Sequence, residues 1–382
     1  MSDNVMIEAK NIKKYYVPRT AVIYFTESEL TVSDNLSKLL VEHTRFFQIG
    51  SHDFDYDDYV DKPLDKNRFK KEFFNWIDPI KKNIYKPSVF FNQAAGRKII
   101  DELKNYDLVV VVLKSSKQNS IDYVSYLIDV LKKYDVFAFH YMIDSFILPI
   151  NGKKQVDKLI QKISKNHQIH VSIKEESVVE AYKQATISNR NYYINLYTND
   201  LIESFLSPFL DPVKNPDLFP RVKGIFYQNQ RNFESKVITS IGYSDVKKDH
   251  LDLALIQALA NPIFYGAFRA ANTFIVNVKT PYWTPGMLER INFILNNVIG
   301  DGKNFIVSSY VGAYSYDVYC QVSIMAINVD EHRLIRDTSK ISDYVKHILN
   351  QVSKSNDLFR EQVTEELLLE GQIEILDDPY DK

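Results

Sequence analysis

Apolar and polar residues in the middle of the first half of the chain follow the pattern of a strand, a loop, a helix and a second strand. Leu108 to Leu113 is an apolar run too short to cross a membrane, which is typical of a central parallel strand covered on both faces. Val136 to Tyr141 is predicted to be its neighbour, and the apolar residues between the two runs have the spacing of a crossover helix. Lys114 to Ser120 is predicted to be a seven-residue polar loop, with Ser120 as the N-cap of the helix.

The same alternation occurs nearer the N-terminus. Apolar runs and helical spacings predict a strand, a helix, a strand and a helix at Ala21 to Phe25, about Asp34 to Glu42, Arg45 to Ile49 and about Gly96 to Asn105. Strands that alternate with helices are typical of a parallel α/β sheet. We therefore expect an α/β domain over residues 20 to 172, preceded by an N-terminal extension at residues 1 to 19.

A long helix is predicted after this domain. Glu175 to Phe205 carries apolar or aromatic residues at helical spacing, and a helix of this length would span about 46 Å. We assign residues 173 to 207 to this central helix. The four prolines that follow are expected to prevent further helix, and they are Pro208, Pro212, Pro216 and Pro220.

The second half of the chain repeats the α/β pattern and ends in a polar tail. Strands are predicted at Ser235 to Ile241, Thr273 to Val278, Asn304 to Ser308 and Tyr319 to Asn328, with helices at about Asp249 to Asn261 and Thr284 to Asn297. This pattern predicts a second domain over residues 208 to 329. In the tail, residues 330 to 382, an amphipathic helix at Ile341 to Val352 either packs on the second domain or docks on another chain. From Arg360 onwards eight acidic residues face two basic ones.

Composition narrows the classes of function. A net charge of −2 over 382 residues provides no basic field, so nucleic acid is not an expected partner. The single cysteine, Cys320, excludes an internal disulfide framework and a cysteine-rich metal site, and it is predicted to be a core residue. Because no apolar run reaches the length of a spanning helix and the N-terminus lacks a signal peptide, we expect a cytoplasmic protein without direct membrane insertion.

Candidate metal and hydrolase motifs are weak. The acidic run Asp53 to Asp61 has five aspartates, but it lacks the ligand order and the turn glycine of a calcium loop, so a solvated loop is favoured. No histidines have the H-x-x-x-H spacing, and no serine lies in a G-x-S-x-G motif. We therefore predict no metal site.

Several motifs resemble those of the bacterial tubulin-like FtsZ cell division family. In chain order they are FFQIGSHD, AAGRKIIDEL, VVEAYKQA, TSIGYSDVKKDHLDLALIQALANPIF, ANTFIVNVK, TPGMLERINFIL and YCQVSIMAIN. In the fourth motif we interpret the segment around Gly242 as a short glycine turn. The motifs keep the family order over about residues 20 to 328. The resemblance implies a Rossmann-type parallel-sheet domain, a long central helix, a smaller C-terminal α/β domain, and a role as a cytoplasmic division polymer that binds GTP.

The phosphate-binding segment of this family departs from its pattern here. It falls on Leu113 to Asp122, where every family glycine is replaced by residues that include Lys114, Ser115, Ser116, Asn119 and Ser120. Glycine lets backbone N–H groups approach a phosphate closely, so these side chains are expected to crowd that approach. Asp122, expected in the first turn of the helix, would also repel a phosphate there.

Other nucleotide contacts of the family are altered as well. The first glycine-rich loop of the family falls on Thr26 to Glu29, which includes Ser28. The E-G-x-x-R loop of the family falls on Asn151 to Gln155, where Gly152 is kept but the acid and the arginine are both lost. Two family positions keep their residue type in this resemblance. They are Asp53 and Tyr182, and Tyr182 corresponds to the aromatic that stacks on the base. The carboxylate that would read the base is replaced by Ile187, so guanine selectivity is expected to be lost.

The loop that completes a neighbouring subunit's active site in this family falls on Asn215 to Val222. Counting forward from Asn215 keeps Asp217, whereas counting back from Val222 places Arg221 at the catalytic aspartate. A cation cannot activate the attacking water as a carboxylate does. Catalysis through this loop is therefore not expected, and Asn215 and Asp217 are interpreted as remnants.

The sequence leaves two functions open. The first is an FtsZ-like cytoskeletal or division-associated protein, at the division site, that self-assembles or binds division partners through surfaces including its C-terminal tail. Its nucleotide site is degenerate and it needs no cofactor. The second is a divergent but active GTPase that binds GTP and Mg²⁺, with Lys114, Lys117 and Arg97 in place of the lost contacts.

Overall fold

The computed structural model describes most of the chain between residues 16 and 329. The described residues are 16–25, 36, 38–50, 71–144, 150–175, 178, 189–229, 236–244, 251–260, 270–280, 283–299, 302–310 and 320–329. The tail helix predicted at Ile341 to Val352 and the acidic run Asp53 to Asp61 lie outside them.

A single ten-stranded sheet runs through the described residues. Its strands are β1 (Thr20–Phe25), β2 (Thr44–Gly50), β3 (Lys71–Asn75), β4 (Leu108–Lys114), β5 (Phe137–Asp144), β6 (Ile169–Lys174), β7 (Lys236–Ser244), β8 (Thr273–Lys279), β9 (Asn304–Tyr310) and β10 (Cys320–Val329). Their order is β3-β2-β1-β4-β5-β6-β7-β10-β8-β9. The seven strands from β3 to β7 pair in parallel, and β10 is antiparallel to both of its neighbours.

Nine described helices connect and cover these strands. They are α1 (Lys38–His43), α2 (Pro87–Phe90), α3 (Ala94–Leu103), α4 (Gln118–Lys133), α5 (Ile150–Lys165), α6 (Arg190–Leu210), α7 (Leu218–Asn229), α8 (Leu251–Ala260) and α9 (Pro285–Ile299). None of them is both long and apolar enough to cross a membrane.

The two faces of the sheet carry separate cores. On β4, Val109 and Val111 pack with α3, α4 and α5, whereas Val110 and Val112 pack with α1, α6 and α7. This alternation is what a pleated strand with two covered faces produces, and it explains the continuous apolar run in the sequence. A third cluster joins α8 and α9 to the C-terminal strands, and it includes the buried Cys320, as predicted.

The central helix differs from its prediction. Helix α6 begins at Arg190, because Asn189 before it has φ −110° and ψ 7° and so ends any helical path from Glu175. The helix continues to Leu210 and contains Pro208. The prediction that this proline ends the helix was wrong: only two helical residues follow Pro208, and its missing N–H removes a single helical hydrogen bond, the one to the Ser204 carbonyl.

A second proline lies inside a helix as well. Helix α7 begins at Leu218, which places Pro220 in its first turn, where a backbone N–H has no partner within the helix. Phe219, Val222 and Phe226 of this helix are buried beneath β5, with the Phe137 ring near two of them. The expectation that the prolines exclude helix from this segment was therefore wrong.

The sheet is continuous across the two predicted domains. Val171 and Ser172 of β6 pair in parallel with Val237 and Ile238 of β7, and the core on the α6 face includes residues from both halves. The domain boundaries at residues 172 and 207 stay predictions. The structure confirms the predicted parallel α/β organisation and the strands of the second half.

Candidate functional site

The carboxyl edge of the parallel strands is the candidate site. Strand β1 lies between β2 and β4, so the chain leaves β1 in one direction along the sheet and β4 in the other. Ligands of open α/β sheets bind at such a switch point, outside the carboxyl ends of the strands. The segment after β4 therefore lies where a ligand of this fold would bind.

That segment is shorter than predicted. Lys114 is the last residue of β4 and Gln118 is the first residue of α4, so the loop has three residues rather than seven. The N–H of Ser115 donates to the Ile143 carbonyl at 2.9 Å, and the N–H of Lys117 donates to the Lys114 carbonyl at 3.1 Å. Two of the three loop N–H groups are thus used inside the protein.

The start of α4 corrects two further predictions. Ser120 is not the N-cap, because the helix already begins at Gln118, and its hydroxyl is buried without a hydrogen-bond partner among the described residues. Asp122 lies in the second turn, not the first, and accepts a 2.8 Å hydrogen bond from the Gln118 side chain. The predicted repulsion between a first-turn Asp122 and an anion therefore does not apply to this site.

The strongest electrostatic feature of the edge is an ion pair. The Lys114 Nζ lies 2.6 Å from Glu175 Oε1, and the side chains are 10% and 1% exposed. Lys114 also contacts Asn191 Oδ1 at 3.5 Å. Because Glu175 follows β6, the pair joins strand ends on either side of β5.

This arrangement does not fit the phosphates of a nucleotide. Lys114, the cation at the end of β4, is neutralised by a buried carboxylate, and an added polyphosphate would bring further negative charge beside Glu175. The short turn also commits backbone N–H groups that a phosphate cradle would need.

The side chains that line this edge include residues that the sequence reasoning missed. Asn191, Asn195 and Asn199 recur every four residues on α6, and the Asn199 amide nitrogen donates to Asn195 Oδ1 at 3.1 Å. The Tyr24 hydroxyl on β1 donates to Asn199 Oδ1 at 2.8 Å. The four-residue spacing of the asparagines was a readable signal, whereas nothing in the sequence marked Glu175.

The remaining predicted nucleotide contacts are not brought together by the described residues. Gly152, expected in a loop, lies in the first turn of α5, because Lys153, Lys154 and Gln155 are compatible with a helix whose apolar residues follow. Ser28, Asp53 and Tyr182 lie outside the described residues, as does Ile187.

Asn215 has a structural role. Its amide nitrogen donates to the carbonyls of Ser309 at 2.9 Å and Pro208 at 3.2 Å, and its Oδ1 accepts the Ser309 N–H at 3.2 Å. Asp217 is exposed and has φ 56°, and Arg221 is exposed on α7. The loop thus anchors the end of α6 to strand β9.

A second charge cluster, built around the buried Glu203, lies further along α6. Lys279 Nζ donates to Glu203 Oε2 at 2.7 Å, and the Tyr243 hydroxyl donates to Asp200 Oδ2 at 2.9 Å. Burial, with Glu203 nearby, raises the pKa of Asp200 to about 7, while Lys279 and the Tyr243 hydrogen bond oppose the rise. Sequence reasoning did not identify this cluster.

Across the residues that the structure describes, no three His, Cys, Asp or Glu side chains form a cluster that could hold a metal ion.

The fold is similar to solved structures of FtsZ and CetZ. An FtsZ mutant from M. jannaschii matches with a TM-score of 0.60 and 12% identity, covering 82% of this chain and 92% of that one. An empty FtsZ dimer from M. jannaschii matches with a TM-score of 0.60 and 11% identity, covering 81% and 88%. CetZ from Methanosaeta thermophila matches with a TM-score of 0.54 and 10% identity, covering 93% and 98%.

These matches show a tubulin/FtsZ-like fold, which confirms the predicted fold class. No family model matches the chain, and no curated protein matches it in sequence.

Proposed function

We propose that this chain is a cytoskeletal protein of the tubulin/FtsZ type that self-assembles or binds division partners without using a nucleotide. The observation that carries the proposal is the Lys114–Glu175 ion pair at the switch point of the sheet. The buried Glu175 carboxylate neutralises Lys114, which an anionic ligand would otherwise do.

The size of the effect supports this interpretation. Removing one partner of a buried ion pair costs about 3–5 kcal/mol, because the other charge stays buried without compensation. A phosphate that competed for Lys114 would have to offset that cost and the repulsion from Glu175. Weak or absent nucleotide binding is the consequence.

Self-assembly is the function that remains when the ligand is removed. One of the similar structures is an empty FtsZ dimer, so this fold has been seen as a dimer recorded without ligand. The anchored loop at Asn215 keeps the end of α6 and strand β9 in a fixed relation, which suits a surface used for assembly. We place the protein in the cytoplasm, at the division site, as a divergent FtsZ relative.

Titration calorimetry with GTP, GDP and ATP in Mg²⁺ buffer tests the nucleotide part. We expect no heat of binding from any of the three. Specific binding of GTP, with phosphate release above background at assembly-permissive protein concentration, would refute the proposal and favour a divergent active GTPase.

Sedimentation and electron microscopy of the purified protein test the assembly part. We expect oligomers or filaments whose amount is the same with and without GTP, either alone or with the host's division proteins. Monomers under all of these conditions would refute self-assembly and partner binding together.

A further inference from the structure

Helix α5 presents a stripe of lysines to solvent. Val156, Leu159 and Ile163 face the core, while Lys154, Lys158 and Lys165 are exposed and recur at spacings of four and seven. Residues at these spacings lie within one narrow face of a helix. Lys162 is not part of this lysine face, because its Nζ is 2.7 Å from Asp129 of α4.

The chain itself contains a segment of complementary charge. Residues 361–381 hold eight acidic residues and no basic one. They also contain Ile373, Ile375 and Leu376 among the acids. This acidic segment lies outside the described residues.

The tail starts close to the lysine face. Val329, the last residue of β10, pairs with Lys236 at the amino end of β7, and β7 pairs with β6. Helix α5 ends at Lys165, just before β6 begins at Ile169, so Lys165 lies at the same edge of the sheet. Strands β10 and β6 are two positions apart, which is about 10 Å.

The tether between them is the right length. Residues 330–360 separate Val329 from the acidic segment, and their contour length far exceeds the about 10 Å between these strands, even with the predicted tail helix formed. A segment tethered in this way has an effective concentration in the millimolar range. Contact within one molecule is therefore favoured over contact with a second copy at micromolar concentration.

We propose that the acidic segment, residues 361–381, docks on the lysine face of α5 in the same molecule. Each exposed ion pair contributes little, so several must act together. Salt screens such contacts, and the docked state should dissociate as ionic strength rises.

Zero-length carbodiimide cross-linking of the full chain tests this directly, because the reagent joins a lysine amine to a carboxylate with loss of water. An equal mixture of light and heavy isotope-labelled protein separates links within one molecule from links between molecules. We expect links from Lys154, Lys158 or Lys165 to acids of residues 361–381, within one isotope type, that fall at least fivefold in 0.5 M NaCl.

Charge variants provide the matched control. In the Lys154→Gln/Lys158→Gln variant the remaining links from Lys165 should fall at least fivefold, because the docked state loses two charges while the Lys165 amine stays available; Lys81→Gln/Lys82→Gln/Lys86→Gln, which changes three exposed lysines elsewhere, should keep the Lys165 links. Links that join mainly light to heavy protein would overturn docking within one molecule. Links that are absent, or as frequent at the control lysines, would overturn the lysine face as the docking site.

Discussion

Asn215 pairs with the backbone of Ser309 as if it were a short extra strand. Its Nδ2 donates to the Ser309 carbonyl at 2.9 Å and its Oδ1 accepts the Ser309 N–H at 3.2 Å. Ser309 belongs to β9, at the end of the sheet order, so the side-chain amide occupies hydrogen-bonding groups of an outer strand. The same nitrogen contacts the Pro208 carbonyl in the last turn of α6. One side chain thus connects the central helix with the end of the sheet.

Replacing Asn215 should therefore destabilise the fold. Asn215→Ala removes the amide from the Ser309 backbone groups and from the end of α6, at a cost of roughly 1–3 kcal/mol in the free energy of unfolding. Urea denaturation measures this. Asp217→Asn is the matched control, because Asp217 is exposed and asparagine tolerates its positive φ, and it should change stability by less than about 0.5 kcal/mol. Equal effects of both variants would contradict the structural role.

The Lys114–Glu175 pair should behave as a coupled unit. Lys114→Met or Glu175→Leu alone leaves one buried charge without its partner and should cost about 3–5 kcal/mol, whereas Lys114→Met/Glu175→Leu should cost far less than the sum. Denaturation of the four proteins in a double-mutant cycle gives the coupling energy. Additive single effects would show that the two charges do not depend on each other.

Stability should depend on pH through Asp200. Its pKa is raised from 3.8 to about 7 mainly by burial, so between these values the native state holds a proton that the unfolded chain has released. The free energy of unfolding should then fall as pH rises from 5 to 7 and level off above 7. One proton contributes at most about 1.4 kcal/mol per pH unit, and we expect a total of about 2 kcal/mol because Asp200 is only partly buried.

Two variants isolate this contribution. Asp200→Asn should flatten the slope between pH 5 and 7 in urea denaturation. Tyr243→Phe removes the hydrogen bond that opposes the rise in the Asp200 pKa, so the fall should extend above pH 7. An unchanged slope in Asp200→Asn would assign the pH dependence to another group.

The strands could be predicted from the sequence wherever burial imposes a pattern. Strands β4 and β5 are covered on both faces, so their residues form continuous apolar runs that need no knowledge of partners. Strand β3 was missed, because it is short, is held by β2 alone among the described strands and contains the polar residues Lys71 and Glu72. Edge strands follow apolar patterns weakly.

The candidate site could be located but not described. The switch point follows from the order of strands and helices, and the lack of glycine after β4 was readable. The Lys114–Glu175 pair was not, because it depends on two strand ends that only the folded sheet brings together. Helix starts shifted for a local reason, since Gln118, Asn119 and Ser120 are compatible with either a loop or a first turn.

Two glycines should respond oppositely to alanine. Gly242 lies inside β7, not in the predicted turn, and a Cβ there would be 1.9 Å from the Ala254 carbonyl oxygen and 2.4 Å from the Ala258 nitrogen. Both atoms belong to the backbone of α8, so Gly242→Ala must displace the helix and should cost about 3 kcal/mol or more.

Gly224 lies within α7, and a Cβ there would have no atom within 4 Å. Gly224→Ala should raise the free energy of unfolding by about 0.5–1 kcal/mol, since alanine loses less backbone entropy in a helix. Thermal and urea denaturation of the two variants beside the parent protein measure both effects.

The close approach between α8 and β7 at Gly242 also explains why the facing helix positions, Ala254 and Ala258, carry small side chains. A stable Gly242→Ala protein would show that this approach is not required.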